Sequence, residues 1–478
     1  MIELGDKIQS YVISLFGEQN LSKFIEYINT SQSQFIRINS LRTTPGKITK
    51  VLYEKYGIKT ERVNNIDNAL KVTEGSELTG KTIEHALGLY YIQGLSSMLP
   101  AVVLAPKPDN IVLDLCAAPG SKTTHLAELM NNKGTLIANE IQLSRLKALV
   151  HNIERMNIIN TAIIHQKGEL LSKIYANYFD KILVDAPCSG LGIIQKKDEV
   201  IKWWNKEKVK ILADLQLKLL IATVKMLKVG GEVVYSTCTM TVEENESIIN
   251  KVLSKYPIEL IDIELPLINH GGLISFGKEK FNRDLEKGKR ISPWETGTDG
   301  FFIAKLKKTG ETKSPEKFFL TKKNVKLLNP THKDIYKKLK FVSDHFKIDF
   351  DALSKYKFII KNHDISFVSG NWNDSNPGMF ERIGLKFGAI DKKGEIVLNT
   401  QAAQLLEKEI KNNIIELQSQ DELRTYMEGG IIKTGSYKEG QYIVKFDEYT
   451  LGTAVVTKTG VKSRFPRAKR TQEICTDF

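Results

Sequence analysis

Between residues 90 and 306, short apolar runs of strand length alternate with longer runs of helical period. The strand-like runs fall at 110–115, 135–140, 161–165, 181–185 and 232–237, and 300–306 looks like a final one. The helical runs fall at 123–130, 143–156, 208–227 and 242–254. Near-continuous apolar strands are buried on both faces, so the intervening helices must cover a mainly parallel sheet. The rhythm predicts the α/β class with a doubly wound domain. Ligands of such sheets bind beyond the carboxyl ends of the strands, which makes the residues after each strand the informative ones.

After the first strand comes Asp114-Leu115-Cys116-Ala117-Ala118-Pro119-Gly120-Ser121-Lys122-Thr123. Gly120 and the small Ala117, Ala118 and Ser121 let backbone approach a ligand closely, and the following helix offers free N–H groups. The spacing is neither Gly-x-Gly-x-x-Gly nor a phosphate loop with its lysine, which disfavours nicotinamide and nucleoside triphosphates. Glu140 ends the second strand, where a carboxylate can accept hydrogen bonds from ribose hydroxyls. The pairing of loop and acid suits S-adenosylmethionine; the plainer alternative is a tight turn and a surface Glu.

Two cysteines follow later strands: Cys188 in Asp185-Ala186-Pro187-Cys188-Ser189-Gly190, and Cys238 in Tyr235-Ser236-Thr237-Cys238-Thr239. Carbon 5 of a pyrimidine is a poor nucleophile. A thiolate adding to carbon 6 pushes electron density onto carbon 5, and a second group can assist the later elimination. Cys238 and Cys188 can divide that labour. Lone cysteines are usually small buried hydrophobes, which is the reading for Cys116 (loop packing) and Cys475 (a loose C-terminus). Asp185 can bond a base edge or the cofactor, and Lys122 can reach substrate or catalytic groups.

The chain of 478 residues predicts two to four domains. An α+β unit occupies 1–85, the α/β domain 86–308, a polar linker 309–325 and a strand-rich region 326–478, with a small barrel expected near its end. No C-x-x-C pair occurs among the four cysteines, so no metal site is expected and the thiols read as reduced and cytoplasmic. No run approaches the ~20 apolar residues of a membrane span, and no secretory signal is visible. The formal net charge is +13, and residues 301–478 hold 32 Lys+Arg against 22 Asp+Glu. That surplus favours a polyanion such as nucleic acid, or reflects a Lys-rich surface.

These motifs resemble the nucleolar protein/Sun family of RNA cytosine-5 methyltransferases over about residues 30–306. The resemblance rests on Leu113 to Thr124, Ala138-Asn139-Glu140, Ser144-Arg145-Leu146-Lys147, Phe179 to Gly190, Val234 to Thr239, Glu243-Glu244-Asn245-Glu246 and Gly297 to Phe302. Arg37-Ile38-Asn39-Ser40-Leu41 and Tyr91-Ile92-Gln93-Gly94 also fit. It implies a Rossmann-like class I methyltransferase domain, an N-terminal α+β RNA-binding domain, S-adenosylmethionine as donor and RNA, ribosomal or transfer, as partner. Cys238 is the implied nucleophile and Cys188 the residue that aids product release. Cofactor contacts are implied from Cys116, Ala117, Ala118, Pro119, Gly120, Ser121, Lys122, Glu140, Arg145 and Asp185. Lys167 departs from the family, which places an Asp there to contact adenine. The C-terminal region resembles, more faintly, an RNA-binding extension, PUA-like at about 380–470; a monomer is expected.

A target base must be flipped out or already single-stranded. Trp203 and Trp204, amid Lys202, Lys206, Lys208 and Lys210, either line a substrate groove or bury themselves in a core. Lys462, Arg464, Arg467, Lys469 and Arg470 form a cluster suited to phosphates. Deleting 316–478 is expected to weaken RNA binding and to leave the cofactor site folded. Two rival readings remain: a DNA cytosine methyltransferase, which would attack through Cys188, and a non-catalytic RNA-binding or ribosome-assembly protein with a degenerate site.

Overall fold

The computed structural model describes residues 2–313, 324–433, 437–470 and 473–476. Most of the expected linker lies outside the described residues. Two amphipathic helices, Asp6–Phe16 and Glu18–Asn29, open the chain. A four-stranded antiparallel sheet follows, in the order Lys59–Arg62, Ala69–Glu74, Gln34–Ile38, Tyr90–Ile92. Its helix Pro45–Tyr56 starts on a Thr44 cap with proline in the first turn and stops at left-handed Gly57, as those residue types dictate.

The central sheet contains β1 (Ile111–Asp114), β2 (Thr135–Asn139), β3 (Thr161–Ile164), β4 (Phe179–Asp185), β5 (Leu227–Thr237), β6 (Ile258–Ile261), β7 (Lys289–Ile291) and β8 (Phe301–Lys308). Its order is β3-β2-β1-β4-β5-β8, and β6 and β7 share the outer edge of β8. β1 to β5 run parallel and β8 is antiparallel to β5. Successive side chains point to opposite faces. Val112, Leu183 and Val234 pack with Leu126 and Leu149, while Leu113, Ile182 and Val233 pack with Leu220 and Ile248. The helices that supply those partners, Ser121–Leu129 and Leu143–Arg155 on one face and Lys206–Met226 and Glu246–Leu253 on the other, complete the doubly wound α/β arrangement.

The C-terminal region adds to this sheet. β9 (Arg382–Ile383) pairs antiparallel with β3, and Arg382 bonds Glu154 at 2.7 Å. Trp372 and Phe380 pack into the catalytic core. A four-stranded sheet (Tyr356–Lys361, Asp364–Ser369, Leu385–Ile390, Ile396–Leu398) is followed by a five-stranded one. The latter is an open ladder from Ile414–Glu416 to Ile431–Ile432; its Val444 and Leu451, with Tyr426 of the helix Gln420–Glu428, share one core with Ile38, Leu52 and Ile58. Removal of 316–478 therefore strips a strand and much apolar cover from the catalytic unit. The region is therefore packed onto the α/β domain rather than tethered to it. Cys475 is not in a loose tail either: its amide bonds the Lys81 carbonyl at 2.8 Å.

Lys469 plugs this junction. It is buried, its ammonium donates to the Ala86 carbonyl at 2.8 Å, and burial beside Arg155 and Arg42 pushes it down from 10.5 to about 7. The unfolded chain binds that proton more tightly, so stability rises with pH between about 7 and 10.5 and is lost as pH falls through that window. Urea midpoints measured across the window should show the rise in the wild type and a flatter profile in Lys469→Met. Equal slopes in the two proteins would contradict the assignment.

Candidate active site

The ends of β1, β2, β4 and β5 converge on a cavity of about 540 Å³. After β1 the loop turns into its helix at Gly120, whose φ of 108° suits glycine and where a Cβ would come within 3.1 Å of Leu149. The loop is held from outside: Asn139 Nδ2 donates to the Leu115 carbonyl (3.0 Å), Arg145 Nη2 to that of Ala118 (2.5 Å) and Asn152 Nδ2 to that of Pro119 (3.0 Å). Asp114 is buried, takes a hydrogen bond from Thr123 Oγ1 at 2.7 Å on one oxygen and has no partner on the other. Burial pushes its carboxyl up to about 7.

Glu140 closes β2, buried at the cavity wall; one oxygen accepts from the Gln142 amide at 2.8 Å and the other lies 3.8 Å from Arg145. Lys122 reaches from the loop helix to Asp185 at the tip of β4 (2.8 Å) and to Ser97 Oγ (2.8 Å). Burial opposes the Lys122 charge, yet the Asp185 carboxylate outweighs it and holds the ammonium above its usual range. The other oxygen of Asp185 accepts from Ser236 Oγ at 2.8 Å.

β4 and β5 stay paired to their ends, where the Ala186 amide bonds the Ser236 carbonyl, so the loops beyond them face each other. The Cys188 and Cys238 sulfurs stand 3.0 Å apart, both as free thiols at the cavity wall. A hydrogen bond to Cys238, burial, and the carboxylates of Glu244 and Asp185 hold the Cys188 thiol well above its ordinary range. Close packing fixes this pairing. A Cβ on Gly192 would sit 2.2 Å from the Gly300 carbonyl and 2.8 Å from that of Cys238.

Of the residues expected around the cofactor, Cys116, Ala118, Glu140, Arg145 and Asp185 line the cavity with both thiols. Ala117, Pro119, Gly120, Ser121 and Lys122 belong to the same loop and the first turn of its helix but not to the lining; Ala117, Gly120 and Lys122 are buried, Ser121 half-buried and Pro119 exposed. Lys167 is exposed and outside the wall, whereas Gly168 and Glu169 line it. Glu169 was not expected; an acid just past the end of β3 was its only signal. The tryptophans split between the two readings. Trp203 lines the cavity with Lys208 Nζ 5.3 Å from its ring centroid, and Trp204 is buried edge-on to Tyr11 at 5.4 Å. Lys462, Arg464, Arg467 and Arg470 line a second open cavity of about 500 Å³ with Phe465. Lys469 does not belong to that basic cluster, since its ammonium is spent on Ala86. Among the described residues no group of three or more His, Cys, Asp and Glu is placed to hold a metal, and no helix is long and apolar enough to cross a membrane.

The family model described as 16S rRNA methyltransferase RsmB/F matches residues 101–307. A ribosomal RNA small subunit methyltransferase F from Shewanella piezotolerans is 32% identical over 458 residues, 94% of this chain and 93% of its own length. A tRNA (cytosine(49)-C(5))-methyltransferase from Pyrococcus abyssi is 35% identical over 303 residues, 63% of this chain and 97% of its own. The crystal structure of NSun6 from Pyrococcus horikoshii with SFG superposes with a TM-score of 0.56 at 25% identity, covering 64% of this chain and 99% of that one. The strand order, the two facing cysteines and a relative matched almost end to end agree: the chain belongs to the RsmB/F (Sun-type) family of RNA cytosine-5 methyltransferases.

Proposed function

We propose that this protein methylates carbon 5 of a cytosine in ribosomal or transfer RNA, through a covalent adduct at Cys238 that Cys188 helps to resolve. The observation that carries the reading is the pair of sulfurs, 3.0 Å apart, on one wall with Glu140 and with Asp185, whose carboxylate Lys122 holds from behind the lining. Cys238 adds to carbon 6 of the flipped base. Asp185, held by Lys122, orients the polar edge of the ring.

The wall suits S-adenosylmethionine. A buried carboxylate at the end of β2 can accept ribose hydroxyls, Ile141 and Leu219 offer apolar sides for an adenine, and Glu169 supplies an acid near the position that Lys167 leaves without one. Glu140, Arg145, Cys116, Ala118 and Asp185 would hold the cofactor, which supplies an electrophilic methyl group. Lys167 no longer argues for a degenerate site, since it is exposed outside the wall. Glu140→Ala should weaken S-adenosylmethionine about 10- to 100-fold, the loss of charge-assisted hydrogen bonds. Calorimetric titration checks this, and an unchanged affinity would remove Glu140 from the site.

The target reaches the thiols from a single strand or a flipped helix position, past Trp203 at the rim. On this reading the basic cavity of the C-terminal region contacts RNA phosphates. On this reading the enzyme acts as a cytoplasmic monomer. Bisulfite sequencing of total RNA from cells with and without the gene should show one or a few cytosines losing protection when the gene is absent. An unchanged pattern, with no transfer of labelled methyl to ribosomal or transfer RNA in solution, would refute the function.

A further inference from the structure

We propose that Lys196 binds the phosphate of the target nucleotide, and that Asp299, packed with it over the bare backbone of Gly94, positions the ammonium for that contact. The proposal rests on the methyltransferase reading and names the group that grips the nucleotide outside its base.

Three segments distant in sequence meet at this point. Lys196 lies in the loop that follows Cys188, Asp299 just before β8, and Gly94 at the start of the helix Leu95–Leu104. The Lys196 ammonium donates to Asp299 Oδ2 at 2.6 Å, and Gln32 Nε2 donates to Oδ1 at 3.3 Å. Gly94 has φ −59° and ψ 142°, extended backbone open to any residue, so conformation does not call for glycine there. Space does: a Cβ would lie 2.7 Å from Asp299 Oδ2 and 2.9 Å from Lys196 Nζ. The ion pair is packed directly onto main chain.

That place belongs to the target-base side of the site. The Gly300 amide, next to Asp299, bonds the Gly192 carbonyl at 2.9 Å, and the Gly192 amide bonds the Cys238 carbonyl at 3.1 Å. Lys197, next to Lys196, lines the cavity with both thiols. One turn beyond Gly94, Ser97 Oγ accepts from Lys122, which holds Asp185. Each member of the cluster is thus a short step from a group that meets the base.

The two charges are buried unequally. The Asp299 side chain is 6% exposed and that of Lys196 36%. A carboxylate so buried needs its cation, and this fixes the head of the lysine. An ammonium has three donors, and among the described residues the other two of Lys196 have no partner. Free donors on a fixed, half-exposed cation beside a base pocket suit an anion at its rim. A flipped nucleotide brings one there, because its base enters the cavity while its phosphate stays outside.

The test follows transfer of labelled methyl by the full-length protein into total RNA from cells lacking the gene, over a series of potassium chloride concentrations. Lys196→Met should lower kcat/KM about tenfold, as expected for loss of a charge-assisted bond. Its plot of log(kcat/KM) against log[salt] should be shallower by about one, the share of a single phosphate. Lys196→Arg keeps the charge and should keep the wild-type slope. Asp299→Asn and Gly94→Ala leave the ammonium in place but unseat it, so each should lower kcat about tenfold, the cost of a misplaced group. Calorimetric affinity for S-adenosylmethionine should match the wild type in all four, which shows that each is folded. A purely structural ion pair would leave the salt slope alone. A wild-type slope in Lys196→Met, or an equal loss of slope in Lys196→Arg, therefore overturns the phosphate contact. Wild-type kcat in both Asp299→Asn and Gly94→Ala overturns the positioning role. No transfer by the wild type itself would instead refute the methyltransferase reading, and this proposal with it.

Discussion

Cys238→Ala should abolish methyl transfer, by at least about 10⁴-fold, the scale on which removal of a covalent nucleophile acts. The loss follows from the chemistry of the base. Without a bond to carbon 6, carbon 5 lacks the electron density to take a methyl, and binding alone cannot supply it. Cofactor affinity should be retained, since Glu140, Arg145 and the loop after β1 are untouched. Cys188→Ala should behave differently: the adduct forms at Cys238 and persists, because the residue that aids its release is gone. A denaturing gel of enzyme with RNA separates the two. A retarded band for Cys188→Ala and none for Cys238→Ala is expected. The reverse pattern would transfer the nucleophile to Cys188, as in the DNA-methyltransferase reading.

Arg37→Ala should cost about 3–5 kcal/mol of stability, the range for breaking one half of a buried ion pair. Arg37 is 1% exposed, in the second strand from the edge of the N-terminal sheet. Its guanidinium bonds both Glu128 oxygens (2.9 and 3.1 Å), Thr124 Oγ1 (2.8 Å), the Ser121 carbonyl (2.7 Å) and Gln93 Oε1. Alanine leaves Glu128 buried with no cation, and burial already pushes that carboxyl up. A second change, Glu128→Gln, should recover part of the loss, and a double-mutant cycle in urea would read the coupling. Because Ser121 opens the cofactor helix, the single variant should also bind S-adenosylmethionine less tightly. Additive single effects would mean that the pair does not couple the N-terminal unit to the cofactor loop.

Much of this arrangement is legible in the chain before any coordinates. β1 to β5 and β8 hold apolar runs that local pattern finds, whereas the short, charged β6 and β7 at the outer edge of β8 were not expected; the sheet topology then brings Cys116, Glu140, Asp185, Cys188 and Cys238 to one edge. What escaped has physical reasons. β9 is two residues long and joins β3 from more than 200 positions away, so no local pattern marks it. Trp203 and Trp204 are identical neighbours, and only the phase of a short helix sends one to the cavity and the other to Tyr11. Lys469 reads as one more cation in a basic run, and only packing against Ala86 removes it from the surface. The helix expected from residue 242 begins at Glu246; ahead of it Glu244 accepts from the Ser189 amide and hydroxyl of the Cys188 loop and from the Thr241 hydroxyl instead of continuing a helix.

The most direct test places full-length protein with S-adenosylmethionine and RNA carrying 5-fluorocytidine at the target. Fluorine occupies the place of the proton that must leave carbon 5, so an adduct cannot resolve and should accumulate until every active molecule is bound. Mass spectrometry of the digested complex should locate the RNA on Cys238, with the methyl on the same ring. No adduct with a fluorinated copy of an RNA that is methylated in cells, or one attached at any other residue, would contradict the account.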